Sequence, residues 1–158
     1  VRHLDWFMPS QAARLNHLLE HLGVGRVLLD TRPIYEGIDP AMVDPQMASE
    51  RKKPRVPLQP VVTAPFILVR YISHPTLAVN RPYFEDWVPR LQQWLQAGQQ
   101  VYFFAHCPEE RKSPAIARAV YHRLHQAGAS LPPLPWDLVE QQRAEDDHAS
   151  AQLSLFES

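Results

Sequence analysis

The chain has 158 residues, 45% of them apolar and 21% charged, and a net charge of -1 from 16 basic and 17 acidic side chains. That length suits one domain with a true core, and the composition excludes a wholly disordered chain, a collagen and a coiled coil. The near-neutral balance excludes a chain-wide electrostatic grip on nucleic acid or anionic membrane and leaves room only for local patches. The single cysteine, Cys107, has no intrachain disulfide partner, which fits a reducing cytosol, so a cytoplasmic protein is expected. The apolar runs are far shorter than a membrane span.

The chain opens Val1-Arg2-His3, which reads as the end of a strand begun upstream. With no initiator methionine and no charged-then-apolar start, it is expected to be the C-terminal part of a longer protein. Ser10 is placed to cap a helix carrying Ala12, Leu15, Leu18, Leu19 and Leu22 at helical spacing, with Gly23 as its left-handed stop. Residues 25–30, ending Leu28-Leu29-Asp30, read as a buried strand. Residues 31–60 read as a loop stiffened by Pro33, Pro40, Pro45, Pro54, Pro57 and Pro60, with a short helix at 44–50. Phe66 to Ile72 is the next strand. Asn80 is expected to cap a helix entered through Pro82, with Phe84, Trp87, Val88, Leu91, Trp94 and Leu95 as its buried stripe, a kink at Pro89 and a stop at Gly98. Val101 to His106 is a third strand. Ser113-Pro114 opens the last helix, with Ile116, Ala119, Val120 and Leu124 inward and Gly128 as stop. Such alternation implies a parallel sheet with helices packed outside it. Composition turns polar from Trp136, and residues 140–151 lack the apolar content to hold a fixed structure. The body is therefore 1–135 and the tail 136–158.

In parallel α/β folds the chemistry lies beyond the C-terminal ends of the strands. Those positions hold Arg2 and His3, then Asp30 and Arg32, then Arg70 with Ser73 and His74, then His106 and Cys107. Arg2, Asp30, Arg32, Arg70 and His106 are the candidates for an anion-binding cleft, because guanidinium forks bind phosphate or carboxylate oxygens in pairs. The plainer alternative is that Arg and Asp pair only with each other. No metal-ligand motif occurs: His17 and His21 stand at helical spacing without an acidic partner, and His122 and His125 read as solvated. Adjacent strand residues point to opposite faces, so His106 and Cys107 do not form a dyad, and Cys107 reads as a buried thiol. With 5 glycines the chain holds no full phosphate loop or dinucleotide fingerprint. The run Arg51-Lys52-Lys53-Pro54-Arg55 reads as solvated surface, or else as a contact to a phosphate backbone.

Several stretches together resemble the YecE-like family of domains of unknown function: VRH at the start, VLLDTRP at 27–33, RKKPRVP at 51–57, VRYISHPTLAVNRPYFEDWVPRLQQW at 69–94, VYFFAHCPE at 101–109 and SPAIARAVYHRL at 113–124. The resemblance implies a TIM-type (β/α)8 barrel, about 250 residues when complete, of which this chain would supply roughly the C-terminal half. It matches Arg2, Asp30 and Arg70 to family positions that also carry Arg, Asp and Arg. The chain departs from many members at Tyr71-Ile72-Ser73 and at His106-Cys107-Pro108, where they carry His-Gly and an asparagine pair. The resemblance fixes no activity. A divalent metal would need ligands from the upstream half.

The tail ends Gln152-Leu153-Ser154-Leu155-Phe156, which resembles the pentapeptide by which bacterial replication and repair proteins bind the sliding DNA clamp. A glutamine amide supplies polar contacts, and leucine and phenylalanine anchors suit an apolar pocket. The alternative is that these residues fold back over the barrel. The leading expectation is thus a barrel protein brought to DNA by the clamp, with a phosphate-accepting cleft. Three readings stand beside it: phosphoester or phosphodiester chemistry at that cleft, a non-enzymatic scaffold, and a sugar-phosphate enzyme with no DNA link.

Overall fold

Three apolar segments form parallel strands: β1 (Val27–Asp30), β2 (Phe66–Ile72) and β3 (Gln100–His106). They pair in the order β1-β2-β3, with Leu29 opposite Arg70, Arg70 opposite Phe104 and Ile72 opposite His106. The helices are α1 (Pro9–His21), α2 (Leu77–Gln96) and α3 (Ser113–Gln126). A computed structural model describes residues 3–35 and 53–143 of the chain. The expected helix at 44–50, Arg2 and the pentapeptide at 152–156 lie outside the described residues.

Strand side chains alternate between faces with period two. Leu28, Asp30, Ile67, Val69 and Tyr71 point to the helix side and are buried, and Val101, Phe103 and Ala105 pack beside them. Against them α2 lays Tyr83, Phe84, Trp87, Leu91 and Trp94, and α3 lays Ile116, Val120 and Leu124. The aromatic rings are offset or edge-on: Tyr71 lies 5.6 Å from both Phe84 and Phe103, and Trp87 lies 6.0 Å from Phe103. Such pairs add about 0.5–1.5 kcal/mol each beyond the area they bury.

The other face is largely exposed, although Ile72 near the strand C-terminal ends is buried. Val27, Phe66, Tyr102 and Phe104 are 42%, 40%, 43% and 56% exposed. Parallel sheets are normally covered on both sides; among the described residues the helices cover one side of this sheet. Among the described residues the sheet is a parallel α/β layer with three strands, not a closed barrel.

Several local expectations change. His3 is not in a strand; it sits ahead of a 3-10 turn at Leu4–Phe7, where its Nδ1 accepts from the Asp5 N–H at 3.4 Å. Ser10 does not cap α1. The helix starts one residue earlier at Pro9, whose fixed φ and missing N–H suit a first turn, and Met8 at the cap position makes no side-chain bond. On α1 only Ala12 and Leu15 are buried, while Leu18 and Leu22 stay exposed. β1 starts at Val27 rather than at 25, and Gly25 lies so close to Phe66 that a Cβ there would be 2.6 Å from the ring. α2 starts at Leu77 rather than at a cap formed by Asn80, and Pro82 and Pro89 both lie inside it. Asn80 is buried in the first turn, where its Oδ1 accepts from the Tyr71 hydroxyl at 3.0 Å and the His74 N–H at 2.9 Å. Its Nδ2 donates to the carbonyls of His74 at 2.8 Å and Thr76 at 3.0 Å. One amide thus closes the β2–α2 connection. Beyond α3, residues 135–143 are helical, and Arg118 holds them through Asp137 at 2.7 Å and Glu140 at 3.0 Å. Among the described residues no helix is long and apolar enough to cross a membrane.

The core on the helix side carries the stability. Replacing buried Leu91 by alanine is expected to cost about 2–5 kcal/mol in a urea denaturation. The same change at exposed Leu18 should fall within about 0.5 kcal/mol.

Candidate functional site

The strand ends place the candidate residues in two groups, because side chains alternate across the sheet. Asp30 ends β1 on the helix side and is 1% exposed. Its Oδ1 accepts from the Arg32 backbone N–H at 3.1 Å and from Arg32 Nε at 2.9 Å. Its Oδ2 accepts from Arg32 Nη2 at 2.8 Å and from Trp87 Nε1 at 2.7 Å. Arg32 reaches on to Asp86 of α2 at 2.9 Å and lies over the Tyr83 ring, 5.1 Å from its centroid. Hydrogen bonding to Asp30 raises the Arg32 pKa above its ordinary value. A buried carboxylate with four donors is fully satisfied. Asp30 and Arg32 engage each other, and neither aims at the open face.

Arg70 and His106 form the second group. The register places them on the same open face of adjacent strands, two residues apart along the pairing. Arg70 is exposed and His106 half-buried. Burial lowers the His106 pKa, and the positive charges of Lys53 and Arg70 lower it further, against an opposing pull from Glu110. The charge of Lys53, from the basic run at 51–55, thus also acts on His106. The backbone under His106 is held firmly: its carbonyl accepts from the Ser73 N–H at 2.8 Å and from Ser73 Oγ at 3.1 Å. The next residue, Cys107, donates its N–H to Ser113 Oγ at 2.9 Å. Cys107 itself is fully buried, and burial pushes its thiol pKa up, away from nucleophilic use.

The five cleft candidates thus do not meet at one point. Asp30 and Arg32 stand together on the helix side, Arg70 and His106 on the open side, and Arg2 lies outside the described residues. Among the described residues no group of three or more His, Cys, Asp or Glu side chains is placed to hold a metal ion.

Two contributors were not legible from the sequence. Lys53 belongs to a run that reads as solvated surface. Arg26 sits at the start of β1 with 5% exposure. It donates to Asn16 Oδ1 and Gln59 Oε1, and its N–H binds Thr63 Oγ1 at 2.8 Å. Burial lowers its pKa. Arg26 pins the 59–63 segment at the end of the sheet remote from the strand C-termini. Its position just before an apolar run was the available signal.

The pH dependence of folding follows from His106 and from His74, whose pKa burial also lowers. Both imidazoles protonate more readily in the unfolded chain, near the ordinary value of about 6.5. Their share of stability is therefore complete above that pH and is lost as the pH falls through it toward the lower folded values. Thermal stability should drop between about pH 7 and pH 5, and a His74→Gln/His106→Gln variant should show a flatter profile over that range.

The chain matches the family described as "Protein of unknown function DUF72" over residues 1–139. It is 33% identical over 138 residues to UPF0759 protein YecE of Escherichia coli strain K12, covering 85% of this chain and 49% of that protein. It is 32% identical to the YecE protein of Escherichia coli O157:H7, with the same coverage. The chain spans about half the length of these curated relatives. No solved structure matches it at a significant level. The chain therefore belongs to the DUF72 family of YecE-like proteins.

Proposed function

We propose that this chain supplies part of a cytoplasmic TIM-type barrel that binds a small phosphorylated ligand at the C-terminal ends of its strands, and that its Gln152–Phe156 segment brings it to the sliding DNA clamp. One observation carries the first half: Arg70 and His106 share the open face at the ends of two adjacent parallel strands, with the charge of Lys53 close by. In (β/α)8 barrels that is the end where ligands bind. The apolar open face with Val27, Phe66, Tyr102 and Phe104 is what the interior of such a barrel would present before its remaining strands close over it. Asp30 and Arg32 then serve as the frame of the β1 connection rather than as ligand contacts.

Burial is the main cause of the lowered His106 pKa, and an anion bound beside Arg70 would offset the part that comes from Lys53 and Arg70. Titration of the protein with inorganic phosphate, followed by the imidazole resonances of His106, should raise that pKa. Arg70→Ala should weaken the binding by about 1–3 kcal/mol, the scale of a charge-assisted hydrogen bond. A His106 titration curve that phosphate leaves in place refutes this cleft.

The clamp proposal rests on the pentapeptide and on the polar stretch before it. A peptide spanning residues 149–158 is expected to bind a bacterial clamp with micromolar affinity, about -8 kcal/mol. Replacing Leu155 and Phe156 by alanine should abolish that binding and leave the thermal stability of the protein unchanged. A stability loss from the double change points instead to a tail packed on the barrel.

A further inference from the structure

We propose a second ligand site, on the helix side of the sheet, that takes an organic anion bearing a planar ring. A cavity of about 700 Å³ opens at the C-terminal end of β1, lined by Arg32, Tyr35, Arg55, Val56, Pro57 and Tyr83. It lies against α2 through Tyr83 and Arg32, whereas Arg70 and His106 project from the opposite face of the sheet. The two sites are therefore separate, and this one does not rest on the phosphate cleft.

Its walls are held in place before any ligand arrives. Thr31, fully buried, donates its hydroxyl to the Pro54 carbonyl at 3.1 Å, and the Tyr35 hydroxyl donates to the Lys53 carbonyl. These two bonds clamp residues 53–57 against the end of β1. Val56, immediately beyond, is buried. The pocket is thus preformed, which lowers the ordering cost of binding.

The charges set the ligand's acid group. Arg32 lines the cavity, but its charge is answered by Asp30 at 2.8 Å and Asp86 at 2.9 Å. Arg55 is exposed, lies 5.6 Å from the centroid of the Tyr35 ring, and has no carboxylate partner among the described residues. It leaves one positive charge facing the cavity, with the planar fork that suits a carboxylate or a phosphate. The remaining walls set the rest of the ligand. Two tyrosine rings, Val56 and Pro57 offer flat and apolar surface that a bare tetrahedral anion would leave wet, and the volume falls in the range of small-molecule sites. A ring stacked on the Arg55 guanidinium or a tyrosine face fills that space while its acid group meets the fork.

The test is calorimetric titration of the full chain with matched pairs of probes: phenyl phosphate against methyl phosphate, and benzoate against acetate. At least one ring-bearing member should bind roughly tenfold or more tighter than its partner, and Arg55→Ala should remove about as much. The titrations are run in the Arg70→Ala background, so that phosphate binding at the other cleft does not add to the signal. Arg55 is exposed, and its ring contact with Tyr35 is the interaction it makes among the described residues, so the thermal transition of the Arg55→Ala variant should match the parent's. Backbone amide shifts on titration should centre on Thr31, Val56 and Tyr83. Binding that ignores the ring, or that survives Arg55→Ala, or amide shifts centred elsewhere, overturns the proposal. Preference for phenyl phosphate or for benzoate then identifies the acid group.

Discussion

The buried Asp30 carboxylate organises the C-terminal end of the sheet. It is nearly inaccessible, yet it holds four hydrogen bonds, three from Arg32 and one from the Trp87 indole. Taking a carboxylate out of water is costly unless donors and an opposite charge replace the solvent. Here Arg32 supplies both, and Asp86 balances the far side of the guanidinium. Three parts of the chain depend on this arrangement: the end of β1, the turn at Arg32–Tyr35, and α2. Removing one partner would leave an uncompensated charge in the interior, the case in which buried pairs are most sensitive. The positions of Arg32 and Tyr35 on the cavity wall follow from that anchor.

The second organising constraint is the period of two along each strand. It divides residues that lie close in sequence between unlike environments. Asp30 joins the aromatic layer under α2, while Arg70, opposite its neighbour Leu29, faces the open side with His106. The same alternation sends Phe103 into the core and leaves Phe104 56% exposed. Among the described residues one face of this parallel sheet is largely uncovered, and the chain spans 49% of the length of its curated relatives.

Electrostatics then separate two chemistries at one end of the sheet. On the open side burial, together with the positive charges of Lys53 and Arg70, lowers the His106 pKa. On the helix side positive and negative groups nearly cancel, and among the described residues Arg55 is the charge left facing the cavity. One basic run supplies a residue to each: Lys53 to the first and Arg55 to the second.

Periodicity alone was enough for the strands at 66–72 and near 101–106, the helix at 113–126 and the parallel α/β class, because apolar runs and helical stripes reflect burial directly. The glycine stops also followed from local chemistry, since Gly23, Gly98 and Gly128 all adopt positive φ. Helix starts were less legible. Asn80 has the composition of a cap, but it works inside the first turn because Tyr71 and His74 come within reach of its amide only when β2 and α2 are packed together. The strand-end residues were legible as a set, and their division was not. Whether a guanidinium meets a carboxylate, a ring or solvent depends on strand register and on what α2 brings alongside. Those contacts join Asp30 to Trp87 and Arg32 to Asp86 across more than fifty positions of chain. Composition and spacing decide which residues are available at the ends of the strands. Packing across the sheet decides which of them face each other, because only there do distant segments come within hydrogen-bonding distance.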